Sequence, residues 1–413
     1  MMNGIIWGLM LSLLLCPTVR DPKGEAYRAL NQELMAHYQA GNYEAALKAA
    51  EAALLLSREI TWADDPIEAK SLGNLALVLG KLGKSAEARH HYESALALLD
   101  SKPGETELHI SLLNNLGGLF WENHQSELAM DAFLRGLQMV ETSGQDHPKR
   151  LNMMMKRAEL LVASGLNDQA ADMYAQTLLL AEQALGRDHP EVSKILNNMA
   201  VSQHISNQEQ DEGVYLRALD IRTKALGPDH PAVAVIHNNL GENYGQKSVF
   251  DKAEASFRRV VDIMEKTADS SRLELARYLF NLGTLYVQAM ETDLSKDTYL
   301  RALTVASETE DLHIQVLILN ALAIDEHLRS QFVRAWQYYH RALNLMEQNP
   351  DHNVGDRIST LTNVARHLES QRQIKKALTY YEQALAVSEQ ALGADHPDTR
   401  LLRGTLNAAK KKK

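Results

Sequence analysis

The chain has 413 residues with a formal charge of −10, 45% hydrophobic and only 6% aromatic residues, rich in Ala and Leu and poor in Gly and Pro. That composition suits packed helices better than sheets, and the acidic balance supplies no broad basic footprint for nucleic acid. A single cysteine, Cys16, excludes an intrachain disulfide and a Cys-based zinc site.

Residues 1–19 carry no charged side chain until Arg20, and Ile5 to Leu15 form an eleven-residue apolar run, the length of a signal-peptide core and too short to span a bilayer. No Lys or Arg precedes the run and no Ala-x-Ala site follows it. The expectation is that 1–19 is a signal peptide or N-terminal membrane tether, with 20–24 as a linker, which places the chain on the periplasmic or extracellular side. If the segment is not a signal, the chain is cytoplasmic. Lipidation at Cys16 and a retained anchor helix stay open as alternatives.

From Glu25 to residue 409 a pair of amphipathic helices recurs nine times with a period of 40 to 42 residues. The second helix of each pair is marked by Leu54, Leu96, Leu137, Leu178, Leu219, Val261, Leu303, Leu343 and Leu385. It carries an aromatic at Tyr92, Phe133, Tyr174, Tyr215, Phe257, Tyr299, Tyr339 and Tyr381, three residues before a small or β-branched position such as Ala95 or Ala384. That spacing puts both on one helical face, a packing device rather than a chemical one. The first helix carries a polar residue followed by an apolar and a small one, as in Asn74-Leu75-Ala76 and Asn239-Leu240-Gly241.

Short polar turns such as Lys81 to Ser85 separate the helices of a pair. Between pairs stand Gly144 to Pro148, Gly186 to Pro190, Gly227 to Pro231 and Gly393 to Pro397, each ending in Asp-His-Pro. Gly ends one helix in a left-handed conformation, Asp or His caps the next, and Pro fits its first turn. Joints near 268–312 and 349–357 lack the full motif. Asp398 to Ala409 reads as an unpaired capping helix, followed by a basic tail at 410–413 whose lysines suit the negative end of the helix dipole.

The segment Leu226 to Pro231, leading into Asn238-Asn239-Leu240-Gly241, resembles the long tetratricopeptide repeat of kinesin light chains and nephrocystin-like proteins, and the resemblance covers about 25 to 409. It implies an all-α, right-handed superhelical solenoid of about nine antiparallel helix pairs plus a C-terminal capping helix. It also implies that the first helices line a concave face. The matching ladder positions are Asn74, Asn115, Lys156, Asn198, Asn239, Asn281, Ala321 and Asn363. One turn earlier come Lys70, Ser111, Asn152, Lys194, Val235, Arg277, Leu317 and Ser359.

An Asn amide both donates and accepts, so such a ladder can satisfy the backbone of an extended peptide. Lys70, Lys156, Lys194 and Arg277 would then favour an acidic or carboxylate-bearing ligand. The competing reading is that the Asn residues bond to neighbouring helices as part of the packing.

Gly83-Lys84-Ser85 lacks the Gly a phosphate-binding loop needs, since Val78 stands there. Neither His-Glu-x-x-His nor Gly-x-Ser-x-Gly occurs. No catalytic residue, metal site or cofactor is expected. The functional expectation is a non-enzymatic scaffold holding an extended protein or peptide partner in its groove, with membrane contact only through the N-terminal segment. A ligand-responsive sensor and a self-assembling architectural scaffold are the alternatives.

Overall fold

The computed structural model describes residues 22–60, 66–100, 105–143, 149–205, 212–267, 271–349 and 353–412. The expected N-terminal segment, Cys16 and the joint at 144–148 lie outside them. Nineteen α-helices and no strand occur among the described residues, and they divide into two compact units, 1–210 and 211–413.

Unit 1 runs α1 (Pro22–Gln39), α2 (Tyr43–Glu59), α3 (Ile67–Lys81), α4 (Ser85–Asp100), α5 (Thr106–Glu122), α6 (Ser126–Ser143), α7 (Arg150–Ala163), α8 (Asn167–Leu185) and α9 (Pro190–Ile205). Unit 2 runs α10 (Glu212–Leu226), α11 (Pro231–Gln246), α12 (Phe250–Lys266), α13 (Arg272–Gln288), α14 (Thr292–Ala306), α15 (Leu312–Leu328), α16 (Phe332–Glu347), α17 (Val354–Ser370), α18 (Ile374–Leu392) and α19 (Pro397–Lys410). Each unit is a helical-repeat stack. Within it, first and second helices pack as antiparallel pairs, and each second helix packs on the next first helix, so contacts are between neighbours.

The small–large alternation holds the pairs together. All eight second-helix aromatics, Tyr92 through Tyr381, are at most 3% exposed. The small residue of the first helix is what admits them: a Cβ on Gly117 would stand 2.7 Å from the Phe133 ring, and one on Gly283 would stand 2.6 Å from that of Tyr299. Ala at these positions would force the ring to move, an overpacking that costs about 1–3 kcal/mol.

At the joints the histidine, rather than the aspartate, is the cap. His230 Nδ1 accepts from the Ala232 amide at 3.0 Å and His396 Nδ1 from the Asp398 amide, with Pro231 and Pro397 opening their helices. His189 accepts in the same way from Glu191. The preceding Gly186, Gly227 and Gly393 have φ of 84 to 90°. Where the Asp-His-Pro joint is missing, other N-caps take over: Ser271 accepts from Glu274, Asp311 from Ile314 and Asn353 from Gly355.

Within each described pair a second punctuation recurs. The turn residue is left-handed at Gly41, Gly83 and Gly165, and also at His124, Ser248, Met290, Ser330 and Arg372, with φ near 60°. The geometry of the turn is thus kept even where no glycine supplies it.

Candidate functional site

First helices also touch one another, α3 with α5, α7 with α9, α11 with α13, α13 with α15 and α15 with α17. The ladder positions fall on this first-helix row, where amide side chains bond from one repeat to the next. In unit 1, Asn74 Nδ2 donates to Asn31 Oδ1 at 3.1 Å, and Asn152 Nδ2 to Asn114 Oδ1 at 3.0 Å. Asn74 and Asn115 are buried, and the Tyr92 side chain bonds to Asn115. In unit 2, Asn281 Nδ2 donates to Asn238 Oδ1 at 2.9 Å and to Glu242 Oε1 at 3.1 Å, and Asn320 Nδ2 donates to Thr360 Oγ1 at 2.7 Å.

The row therefore uses part of its amide capacity internally, as buried polar groups require. The ladder residues differ in what they leave open. Asn198 is half-buried and donates at 3.1 Å to Glu159, whose other oxygen accepts from Lys156 Nζ at 2.7 Å. That ammonium lies 5.8 Å from the centre of the Trp121 ring. Trp121, Lys156, Glu159 and Asn198 thus form one half-buried aromatic–ionic set on the row of unit 1.

The cations behave differently from one another. Lys194 is exposed with no ion pair among the described residues, whereas Arg277, also exposed, stands 3.7 Å from Asp311. Lys70 is half-buried. Ser111 Oγ accepts from Lys149 Nζ, whose burial pushes its pKa down to about 8. Asn239 lies beside Asn238 within the same amide network. Asn363 is half-buried and makes no side-chain hydrogen bond among the described residues.

Sequence reasoning missed the acceptors of this network. Glu159 and Glu242 stand three residues after the ladder position of their own helices, and the Asn doublets 114/115, 197/198 and 238/239 supply the second amide. The doublets are visible in the sequence, but their bonding across repeats depends on how closely the helices stack. Also unforeseen is a buried ionic cluster between α14 and α15. There Lys296 Nζ lies 2.7 Å from the fully buried Glu326, and Asp325 accepts from Ser295 and pairs with Arg329. Among the described residues no group of three His, Cys, Asp or Glu gathers as for a metal ion, and no helix is long and apolar enough to cross a membrane.

Fold and row define an all-helical repeat scaffold. Two family models, both described as tetratricopeptide repeat, match residues 26–101 with 212–266 and residues 150–191 with 357–398, together just over half of the chain. The chain belongs to the tetratricopeptide-repeat proteins. Among solved structures, the apo form of RapI is 13% identical with a TM-score of 0.59, the match covering 90% of this chain and 98% of that one. The apo quorum sensor NprR from B. thuringiensis is 14% identical with a TM-score of 0.52, over 88% and 99%. A putative kinesin light chain from Podosopora anserina is 17% identical with a TM-score of 0.43, over 50% and 99%. These likenesses are of fold. No curated protein matches the chain.

Proposed function

We propose that the chain is a non-enzymatic scaffold that holds an extended, acidic segment of a partner protein along the first-helix row of unit 1. The observation that carries this reading is the half-buried set of Trp121, Lys156, Glu159 and Asn198, with Lys194 one turn before Asn198 on α9, exposed and without an ion pair among the described residues. An aromatic face, an oriented amide and an exposed cation suit a peptide backbone with a carboxylate. On this reading Asn74 and Asn115 serve the packing of that row, and Lys194 and Asn198 are the groups that reach the ligand; Arg277, Asn281 and Asn363 stand on the row of unit 2, which is read by itself.

Affinity capture with residues 22–413, followed by peptide mapping, supplies the partner segment. Asn198→Ala and Lys194→Glu are expected to weaken its binding about 5- to 10-fold each while leaving the melting temperature nearly unchanged, the loss of roughly one hydrogen bond or charge contact. Asn74→Ala is expected to do the opposite, lowering stability by about 1 kcal/mol by leaving Asn31 without its donor. Unchanged affinity in both Asn198→Ala and Lys194→Glu would sink the row as the binding face.

The proposal includes presentation at or beyond a membrane by residues 1–19, motivated by their uncharged apolar run. Recovering the natural protein from the soluble cytoplasmic fraction, with Met1 or Met2 as its first residue, would reject that part. The fold likeness to a quorum sensor keeps a peptide-responsive regulator as the second reading, and a ligand-induced change in small-angle scattering would favour it.

A further inference from the structure

Residues 357–413 hold eleven Lys and Arg against five Asp and Glu, in a chain whose overall charge is −10. The fold gathers part of this excess in one place. The end of α17, the turn 371–373, the first turn of α18 and Lys412, just past the end of α19, border an open depression of about 1080 Å³. Arg366, Arg372, Lys375, Lys376 and Lys412 line it, with Glu369 as its one carboxylate.

That carboxylate is already engaged. Lys412 Nζ donates to Glu369 Oε1 at 2.8 Å and the Tyr381 hydroxyl donates to Oε2 at 2.9 Å. The Lys412 bond, more than that of Tyr381, holds the Glu369 carboxyl below its usual range. Its role is to pin the end of the chain against α17 and so complete one wall. Arg372, Lys375 and Lys376 remain exposed and form no ion pair among the described residues. Five like charges around one hollow repel one another, and a single carboxylate leaves most of that repulsion uncompensated. An acidic peptide would spread its charges over an extended length at about 3.3–3.6 Å per residue, whereas these cations surround one depression. Arginine forks and lysine point charges together match clustered oxyanions.

We infer that this depression is a binding site for a compact polyanion carrying two or more phosphate groups, either free or on a lipid headgroup. The site lies in unit 2, where Arg366 stands three residues after the ladder position Asn363, and it does not depend on the peptide reading proposed for unit 1. The test is calorimetric titration of the full chain with sodium tripolyphosphate at physiological salt. Saturable binding is expected. Paired substitution Arg372→Glu with Lys376→Glu is expected to weaken it at least about tenfold with the helical signal unchanged, because both side chains are exposed. Lys375→Gln with Lys376→Gln, which adds no negative charge, is expected to weaken it in the same direction, and Arg135→Glu in unit 1 is expected to leave it unaltered.

Sedimentation with phosphatidylcholine vesicles containing phosphatidylinositol bisphosphate, lost in the paired variant, would assign the headgroup as the source. Tripolyphosphate binding without sedimentation would assign a free anion. The inference is overturned by the absence of saturable tripolyphosphate binding, by binding as tight as wild type in both paired variants, or by hexaglutamate binding as tightly as tripolyphosphate.

Discussion

Asn74 and Asn198 stand at the same register of their helices, yet the first is buried against Asn31 and the second reaches Glu159 from a half-buried position. The recurrence of Asn was legible in the sequence; the division between packing amides and accessible ones was not, because it depends on which acceptor the preceding repeat happens to present. The same limit applies to His367. Nothing in its sequence context marks it, but the fold buries it and sets its Nδ1 2.8 Å from Nδ1 of His327, with Trp336 and Tyr339 against its ring and Gln371 at Nε2. Burial, then the neighbouring His327, pushes the His367 pKa down to about 4, and burial also lowers those of His237, His109 and His91. The unfolded chain therefore takes up these protons first as pH falls below about 6.5, while the folded chain resists. Stability should be retained above that pH and lost progressively toward pH 4, with a slope approaching about 1.4 kcal/mol per pH unit from His367 and contributions of the same sign from the other three. Urea unfolding at several pH values, in the wild type and in His367→Gln, measures it. A slope unaltered in His367→Gln would contradict the assignment.

At the scale of elements, pair boundaries were legible because Gly, Pro and the period announce them, whereas the left-handed residue of each intra-pair turn was legible only where it is glycine. His124, Ser248, Met290, Ser330 and Arg372 occupy the same conformation with no local signal, because the stacking of their helices fixes the turn. A side chain there bears a steric cost of about 1–2 kcal/mol that glycine avoids, offset in part by the greater freedom of glycine in the unfolded chain, about 0.5–1 kcal/mol. Met290, with φ 60° and 86% exposed, has little packing to lose. Met290→Gly should therefore stabilise the protein by about 0.5 kcal/mol, and Gly83→Ala, at φ 74°, should destabilise it by about 1 kcal/mol. Denaturant midpoints decide this, and a loss of stability in Met290→Gly would show that its side chain contributes contacts outweighing the strain.

For the molecule as a whole, the period alone announced nine pairs and a cap, since one helix pair cannot cover its own apolar face and must be stacked. The cationic depression was not legible, because Arg366, Arg372, Lys376 and Lys412 lie up to forty-six residues apart and meet only when α19 folds back on α18. That last helix is also where nearest-neighbour stability can be tested. α19 lays Leu402, Leu406 and Ala409 against the core that holds Leu378, Tyr381 and Ala384, and Ser388 Oγ meets Thr399 Oγ1 at 2.7 Å. Ending the chain at Gly393 removes the two leucines, each worth about 1.5–3 kcal/mol on burial, and exposes the face beneath them. In a globular core such a loss would spread evenly. In a stack it should be greatest in α17 and α18 and fade within a pair or two, leaving α11 and α12 close to their original protection. Hydrogen exchange read by mass spectrometry distinguishes the two, with Leu402→Ala combined with Leu406→Ala as a milder version in the full-length chain. Equal loss of protection from α11 to α18 would mean that unit 2 unfolds as one cooperative body despite its repeat architecture, whereas a graded loss would establish that each pair is stabilised by the one stacked upon it.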